Sequence, residues 1–160
     1  MDHLDIRILE VLQQDGTLTK AELAECVAST PSTCLRRVQR LVDAGYLDRC
    51  VYLANPKKLE RGIRAFITVV SKDHGGQKTE GFIDRLAQEP SITLAYGTTG
   101  EVDAVVQGYF ADLEEYQAVC ARLFDADPDV ERYTTFFGVQ SFKDTTEIPA
   151  DALARRLKGT

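Results

Sequence analysis

The spacing of apolar residues in the first 16 positions predicts an amphipathic helix. Leu4, Ile8 and Leu12 recur every four residues and therefore lie on one face of a helix. The helix begins at Asp2 or the residue after it, and Gly16 ends it. An apolar stripe of this kind indicates that the helix packs against other elements rather than standing alone.

Two shorter helices follow in quick succession. Thr19 and Glu22 have the spacing of a capping box, in which each side chain binds a backbone N–H at the start of the second helix. Thr30 caps the third helix, and Pro31 takes its first position, where a missing N–H costs nothing. The third helix ends at Gly45. Three helices in this arrangement predict a helix-turn-helix unit.

After residue 62 the pattern changes to β-branched and alternating runs, which predict strands. A glycine pair at 75–76, Pro90 and Gly100 separate these runs from one another. The resulting order, βαββαβ, predicts an α+β protein with an N-terminal winged helix-turn-helix and a C-terminal ferredoxin-like domain. The predicted strands span residues 63–70, 92–99, 103–110 and 130–142, and the predicted helices lie around residues 82–87 and 113–124.

These elements divide the chain into four parts. The helix-turn-helix occupies residues 1–50, and the βαββαβ domain occupies residues 63–143. Residues 51–62 form a hinge strand or linker, whose Lys57 and Lys58 either contact the DNA backbone or keep the linker in solvent. Residues 144–160 are a tail with a short helix of unassigned role, because Leu153 and Leu157 share a helical face.

The third helix has two chemically different faces. Cys34, Val38, Leu41 and Val42 form the apolar one, whereas small hydroxyls and arginines lie on or beside the other. Arginine pairs with guanine in the major groove, and hydroxyls at a helix N-terminus suit phosphates. The alternative is an ordinary solvated helix face. The residues predicted to contact DNA are Thr30, Ser32, Thr33, Arg36, Arg37 and Arg40.

The charge distribution supports the DNA-binding interpretation, although the whole chain carries a net charge of -6. Residues 1–35 have six acidic and two basic groups, residues 36–64 have three and eight, and residues 65–160 have sixteen and nine. The third helix and the linker therefore form a basic band of net +5 inside an acidic protein. Phosphate attraction fades over about 10 Å at moderate salt, so the distant acidic surface does not prevent binding.

Other classes of function find little support in the composition. The chain has four cysteines without a CxxC pair and only two histidines, which argues against a zinc site and leaves reduced, mostly buried thiols. We expect neither a metal nor a cofactor. Because the sequence shows no signal peptide and no apolar run long enough to cross a bilayer, we expect a cytoplasmic protein.

Several motifs taken together resemble those of the Lrp/AsnC (feast/famine) transcriptional regulators. They cover roughly residues 2–143 without large gaps and carry the following sequences: LDIRIL at 4–9 with QDG at 14–16, PSTCLRRVQRL at 31–41, AGYL at 44–47 followed by NP at 55–56, and GEVD at 100–103. The resemblance implies homodimers that pair their sheets and often assemble further to octamers. It also implies a small effector, usually an amino acid, bound between the C-terminal domains.

The resemblance assigns the effector to the loop after the second strand of the sheet domain and to the last strand. Glu101 and Ala104 depart from the usual residues of that loop. A glycine there lets backbone amides approach a ligand carboxylate, and Asp103 can meet an ammonium group. A plain β-turn with a capping acid is the alternative. The implied effector-binding residues are Thr98, Thr99, Gly100, Glu101, Val102, Asp103, Tyr133 and Thr135.

Two other functions compete with an effector-responsive regulator. An architectural DNA-binding protein would use the same third helix without a ligand. A sirohaem decarboxylase would have a similar domain order, but such enzymes are expected to carry a histidine on the second strand of the sheet domain, which here reads LAYGT at 94–98. With two histidines and no evident catalytic arrangement, the sequence favours a regulator over an enzyme.

Overall fold

The structure, a computed structural model, describes residues 1–72 and 80–158. The chain forms two compact units. The first contains residues 1–53 together with residues 143–160, and the second contains residues 54–142. The predicted glycine break at 75–76 lies outside the described residues. Within the described residues, no helix is long and apolar enough to cross a membrane.

The first unit is built from three helices near the N-terminus and one from the C-terminal end. Asp2 caps the first helix through a capping box with Asp5, and Thr19 and Glu22 form the predicted capping box of the second. Gly45, with φ of +72°, follows the third helix in the left-handed region that glycine adopts without strain. The helices are α1 (His3–Gln14), α2 (Lys20–Cys26), α3 (Pro31–Asp43) and, near the C-terminus, α6 (Asp151–Lys158).

A small apolar core holds these helices together. Ile8, Leu23, Cys34 and Leu41 are buried in it and Val38 packs against it half-buried, which confirms the inward stripe predicted for α3 at three of its four positions. Val42 is different, because 43% of its surface is exposed. The thiols also divide: Cys34 and Cys120 are buried, whereas Cys26 and Cys50 are exposed, so only half of them match the predicted burial.

The second unit confirms the predicted βαββαβ order. Its four strands form one antiparallel sheet in the order β2-β3-β1-β4. A π-helical turn, Ala121–Asp125, extends α5, and a 3₁₀ turn, Pro56–Leu59, precedes β1. The remaining elements are β1 (Ile63–Ser71), α4 (Glu80–Gln88), β2 (Ile92–Gly97), β3 (Ala104–Phe110), α5 (Leu113–Cys120) and β4 (Val130–Phe137).

The two helices cover one face of the sheet and leave the other uncovered. Ile67, Val106 and Phe110 on the covered face are fully buried against side chains of α4 and α5 such as Phe82 and Val119. Residues that alternate with them point the opposite way. We call this opposite surface the open sheet face; it contains Arg64, Phe66, Leu94, Tyr96, Gln107, Tyr109 and Phe136.

A charged cluster fixes the start of the sheet domain. The Arg61 guanidinium donates to Glu115 Oε1 at 2.5 Å, and the Ala111 N–H donates to Glu115 Oε2 at 2.7 Å. The Ala111 N–H first, and Arg61 second, hold the pKa of Glu115 below its usual value despite partial burial. The linker therefore enters the sheet domain at a defined point on α5.

Two strand predictions need correction. No strand forms in residues 51–62, where a hinge strand or linker was predicted, because an extended segment needs a neighbouring strand to complete its hydrogen bonds and no described strand pairs with these residues. The last strand was predicted over residues 130–142 but ends at Phe137. Its partner β1 begins at Ile63, two residues before the Ala65 that pairs with Phe137, so residues 140–142 have no strand opposite them.

Candidate functional site

Hydroxyl groups crowd the N-terminus of α3, as predicted. Thr30 Oγ1 accepts from the Thr33 N–H at 3.3 Å and donates to Thr33 Oγ1 at 2.9 Å. Ser32 Oγ lies 3.2 Å from Thr30 Oγ1. Thr30 and Ser32 are exposed, whereas Thr33 is half-buried. Since the first backbone N–H groups of a helix point outward with partial positive charge, this end of α3 suits a phosphate.

Arg36 has the freest guanidinium of the third helix. Its side chain is exposed, and within the described residues it makes no hydrogen bond or ion pair. One turn further along, Gln39 is also exposed and donates from Nε2 to Asp43 Oδ1 at 2.8 Å. The outward face of α3 thus presents one unengaged guanidinium, which is the group that major-groove recognition of guanine requires.

Arg37 and Arg40 instead close an ionic clamp between α3 and α1. Arg37 Nη1 donates to Asp2 Oδ2 at 2.5 Å and to Asp5 Oδ1 at 3.1 Å. Arg40 Nη2 pairs with Asp5 Oδ2. The Asp5 side chain is completely buried, and its Oδ2 also accepts from the Asp2 N–H at 2.8 Å. We refer to Asp2, Asp5, Arg37 and Arg40 as the α1–α3 clamp.

The clamp also shifts the ionisation of its members. Hydrogen bonds from Arg37 to Asp2 first, and to Asp5 second, raise the pKa of the Arg37 guanidinium. Partial burial opposes ionisation of Asp2, but the Asp5 N–H and Arg37 outweigh it and lower the Asp2 pKa. Both shifts favour the charged forms, so the Asp2–Arg37 pair stays ionised near neutral pH.

The clamp gives Arg37 a role that the sequence analysis did not assign to it. Only 17% of its side chain is exposed, and both of its carboxylate partners lie on the α1 side, so it braces α3 against α1. Arg40 is 49% exposed and keeps part of its guanidinium available while it pairs with Asp5. The sequence analysis did not assign Asp5 a role, because an aspartate in the first turn of a helix is common. The signal available in the sequence was its spacing of three residues from the helix start, which is that of a capping box.

In the sheet domain, hydrogen bonds across the loop between β2 and β3 hold it as a tight turn. Thr98 Oγ1 donates to the Val102 carbonyl at 2.6 Å, and the Thr98 N–H donates to the Asp103 carbonyl at 3.0 Å. Gly100 has φ of +108°, a conformation that favours glycine. Asp103 Oδ2 accepts from the Ser71 N–H at 2.7 Å. This contact favours the capping-acid alternative for Asp103 over a carboxylate reserved for a ligand ammonium.

A cavity of about 780 Å³ lies beside this loop, between α4 and β2. Three of the eight predicted effector residues line it: Thr98, Thr99 and Asp103. The rest of the wall is mostly apolar and was not predicted as a binding site. The residues of α4 have the same helical spacing whether they line a cavity or fill a core. This part of the wall consists of Phe82, Ile83, Leu86, Ala87, Ile92, Leu94, Ala95 and Ala104, with Thr93, Tyr96 and Gly97 at its margin.

Tyr133 and Thr135 lie apart from that cavity. They belong to β4, which β1 separates from β3, and they face the helices. Tyr133 packs its ring against Phe124 at a centroid distance of 5.0 Å, and burial raises the pKa of Tyr133 to about 12. Thr135 Oγ1 lies 2.7 Å from the Tyr116 hydroxyl. Within one chain, the predicted effector residues therefore form two separate groups.

A capped, basic recognition helix joined to a sheet domain with a cavity defines a DNA-binding regulator with a ligand-binding domain. Comparison with family models agrees: residues 1–48 match a winged helix-turn-helix DNA-binding model, and residues 64–148 match the Lrp/AsnC ligand binding domain. The chain belongs to the Lrp/AsnC family of transcriptional regulators. This confirms the family and the fold class predicted from the sequence.

Individual relatives support the same assignment over nearly the whole chain. The DNA-binding transcriptional activator DecR of Escherichia coli is 30% identical over 94% of this chain and 99% of its own. The leucine-responsive regulatory protein of Rhizobium meliloti is 30% identical over 92% and 95%. A transcriptional regulator from Neisseria meningitidis, solved in complex with L-Met, superimposes with a TM-score of 0.86 at 31% identity over 96% and 99%.

Proposed function

We propose that this protein is a cytoplasmic homodimer that reads operator DNA with α3 and responds to an apolar amino acid bound in the α4–β2 cavity. The observation that carries the proposal is that the three arginines of α3 have different environments. Arg37 and Arg40 brace the helix on Asp5, whereas Arg36 is exposed and unengaged in the described structure. Thr30, Ser32 and Thr33 at the helix start are the proposed phosphate contacts.

Recognition of an operator with two half-sites requires two copies of α3. Helix-turn-helix dimers place their recognition helices in successive major grooves, about 34–36 Å apart. The open sheet face supplies a surface for dimerisation. Phe66, Tyr96 and Phe136 expose 36%, 65% and 57% of their surfaces there, although large apolar side chains are normally buried. We propose that two such faces pack together, and that dimers assemble further, up to octamers.

Arg36→Ala is expected to weaken operator binding by about 1–3 kcal/mol, because it removes the guanidinium proposed to read a base. The affinity is measured by fluorescence anisotropy at fixed salt, with a duplex footprinted upstream of the protein's own gene. Lys72→Ala is the control, since it removes one positive charge from an exposed side chain at the end of β1, outside α3. An equal loss for both variants would reduce the effect to net charge and remove Arg36 from the reading face.

The effector proposal rests on the composition of the cavity. Apolar side chains from α4 and β2 form most of its wall, and Thr98 and Thr99 bring hydroxyls to one end. That arrangement suits a small molecule with a polar head and an apolar side chain. The Neisseria relative was solved with L-Met, which makes L-methionine the first amino acid to test.

L-methionine in large excess is expected to raise the Tm of the wild-type protein by about 5 °C or more, and Ala95→Leu is expected to abolish this rise. Leucine at Ala95 would occupy space that the ligand side chain needs. Ala118→Leu adds the same atoms to an exposed position on α5, outside the cavity, and should keep the shift. If none of the amino acids shifts the wild-type Tm, an architectural DNA-binding role without an effector becomes the better interpretation.

A further inference from the structure

The C-terminal segment returns to the DNA-binding unit after the sheet domain is complete. The chain leaves the first unit after Leu53, forms the whole second unit, and re-enters the first at Lys143. Two covalent crossings therefore join the units instead of one. The sequence analysis gave this tail no role, and neither the recognition helix nor the cavity uses it.

A two-way amide hook holds the tail on α1. The Ile148 N–H donates to Gln13 Oε1 at 2.8 Å, and Gln13 Nε2 donates back to the Ile148 carbonyl at 3.1 Å. Nearby, Gln14 Nε2 lies 3.4 Å from Glu147 Oε1. One glutamine side chain thus satisfies both backbone groups of one tail residue, in the way that a neighbouring strand would.

Apolar contacts extend the hook into the core. Ala150 is 8% exposed, and Leu153 of α6 packs against the cluster that includes Ile8 and Leu9 of α1. The side chain of Ile148 is 73% exposed, so this residue contributes through its backbone alone. The tail is therefore integrated into the DNA-binding unit by specific contacts, and its attachment depends on Gln13 and Leu153.

We propose that residues 143–155 act as a C-terminal latch, a second tether that limits the freedom of the DNA-binding unit and so prearranges the two recognition helices of the dimer. This inference rests on the proposed function, because it concerns how a dimer engages two half-sites. Tethering raises the effective concentration of the second α3 at its half-site once the first is bound. Releasing the latch removes that advantage without altering α3 itself.

Gln13→Ala in the full-length protein tests whether the latch closes as described. It removes both hydrogen bonds of the hook but leaves the apolar contacts of α6, so the first unit should still fold. Hydrogen exchange of the Ile148 amide is expected to accelerate at least about tenfold. Ile148→Ala is the control, because it changes only an exposed side chain and keeps the backbone hook. Unchanged Ile148 exchange in Gln13→Ala would overturn the latch.

DNA binding then tests what the latch does. One duplex carries both half-sites, and a second keeps one half-site and scrambles the other. Gln13→Ala is expected to weaken binding to the two-site duplex about three- to tenfold and to leave the single-site affinity unchanged. A loss on both duplexes would instead mean that the variant damages the recognition unit, and an unchanged ratio would mean that the tail restrains nothing; either result overturns the proposal. Absence of specific binding by the wild-type protein would overturn the proposed function first.

Discussion

Asp5→Ala is expected to lower the free energy of unfolding of the DNA-binding unit by about 3 kcal/mol or more. The Asp5 carboxylate is completely buried and accepts from Arg37, from Arg40 and from the Asp2 N–H. Its removal leaves a largely buried Arg37 with one half-exposed partner, Asp2, and opens the clamp between α1 and α3. Breaking a buried ion pair on one side costs far more than the pair contributes, because the remaining charge stays desolvated.

The measurement must separate the two units, since a chain with two compact units need not unfold in one step. Hydrogen exchange of α1 and α3 at increasing denaturant reports on the first unit, and exchange of β1 and β3 on the second. Asp43→Ala is the matched control: Asp43 is exposed and, among the described residues, pairs with Gln39 alone, so its loss should change stability by less than about 0.5 kcal/mol. Equal effects of both substitutions would show that the clamp contributes no more than a surface contact.

The clamp also bears on recognition. The clamp fixes α3 on α1 at two successive turns through Arg37 and Arg40, and so sets the orientation of the face that carries Arg36, which we propose reads DNA. Two of the three arginines of α3 therefore brace the helix, and Arg36 is left exposed.

Local rules were sufficient to predict most of the fold. Thr19, Thr30 and Asp112 each cap the helix that follows, because their side-chain oxygens accept backbone N–H groups that the helix leaves free. The strands of the sheet domain likewise follow from their β-branched runs. These signals depend on residues close together in the sequence, so the sequence carries them in full.

Features that depend on distant partners were predicted poorly. No strand in the described structure pairs with residues 51–62, and β4 stops short of residue 142 because β1 begins at Ile63 and leaves residues 140–142 without a strand opposite them. The role of Arg37 depends on Asp5, which lies 32 positions away in the sequence. Periodicity could place both side chains on helix faces but could not show that those faces meet.

The effector site shows the same limit. The resemblance to the family grouped Tyr133 and Thr135 with the β2–β3 loop, but in one chain β1 lies between their strands. The cavity wall that the structure adds, from Phe82, Ile83 and Leu86, carries the ordinary helical spacing of core residues. Distinguishing a wall from a core required the position of α4 relative to the edge strand β2.

The open sheet face leads to the second prediction of large effect. Arg64 of β1 lies on it, with its guanidinium 5.2 Å from the ring centroid of Phe66 and 5.3 Å from that of Tyr109. Arg64 Nη2 also donates to Gln107 Oε1 at 3.0 Å. The Arg64 charge is thus already stacked and hydrogen-bonded, which lowers the cost of covering it with a second copy.

Phe136→Asp is expected to raise the dimer dissociation constant at least about 100-fold, equivalent to roughly 3 kcal/mol. Phe136 pairs with Phe66 across the β1–β4 ladder and is 57% exposed in the single chain. An aspartate there stays hydrated in a monomer but would be desolvated without a partner charge when two faces meet. Sedimentation equilibrium measures the dissociation constant, and circular dichroism verifies that the monomer keeps its fold.

Leu113→Asp provides the comparison that separates this interface from general surface polarity. Leu113 is 54% exposed, close to the value for Phe136, but it is the first residue of α5 and does not lie on the open sheet face. An acidic residue is also compatible with the N-terminus of a helix. Leu113→Asp should leave the dimer intact. Equal dissociation by both variants would place the contact elsewhere. If Phe136→Asp dissociates the dimer and Leu113→Asp does not, Phe136→Asp should also weaken binding to a duplex with two half-sites. Its affinity for a single half-site should be unchanged, because each monomer keeps its own α3 and the clamp that orients it.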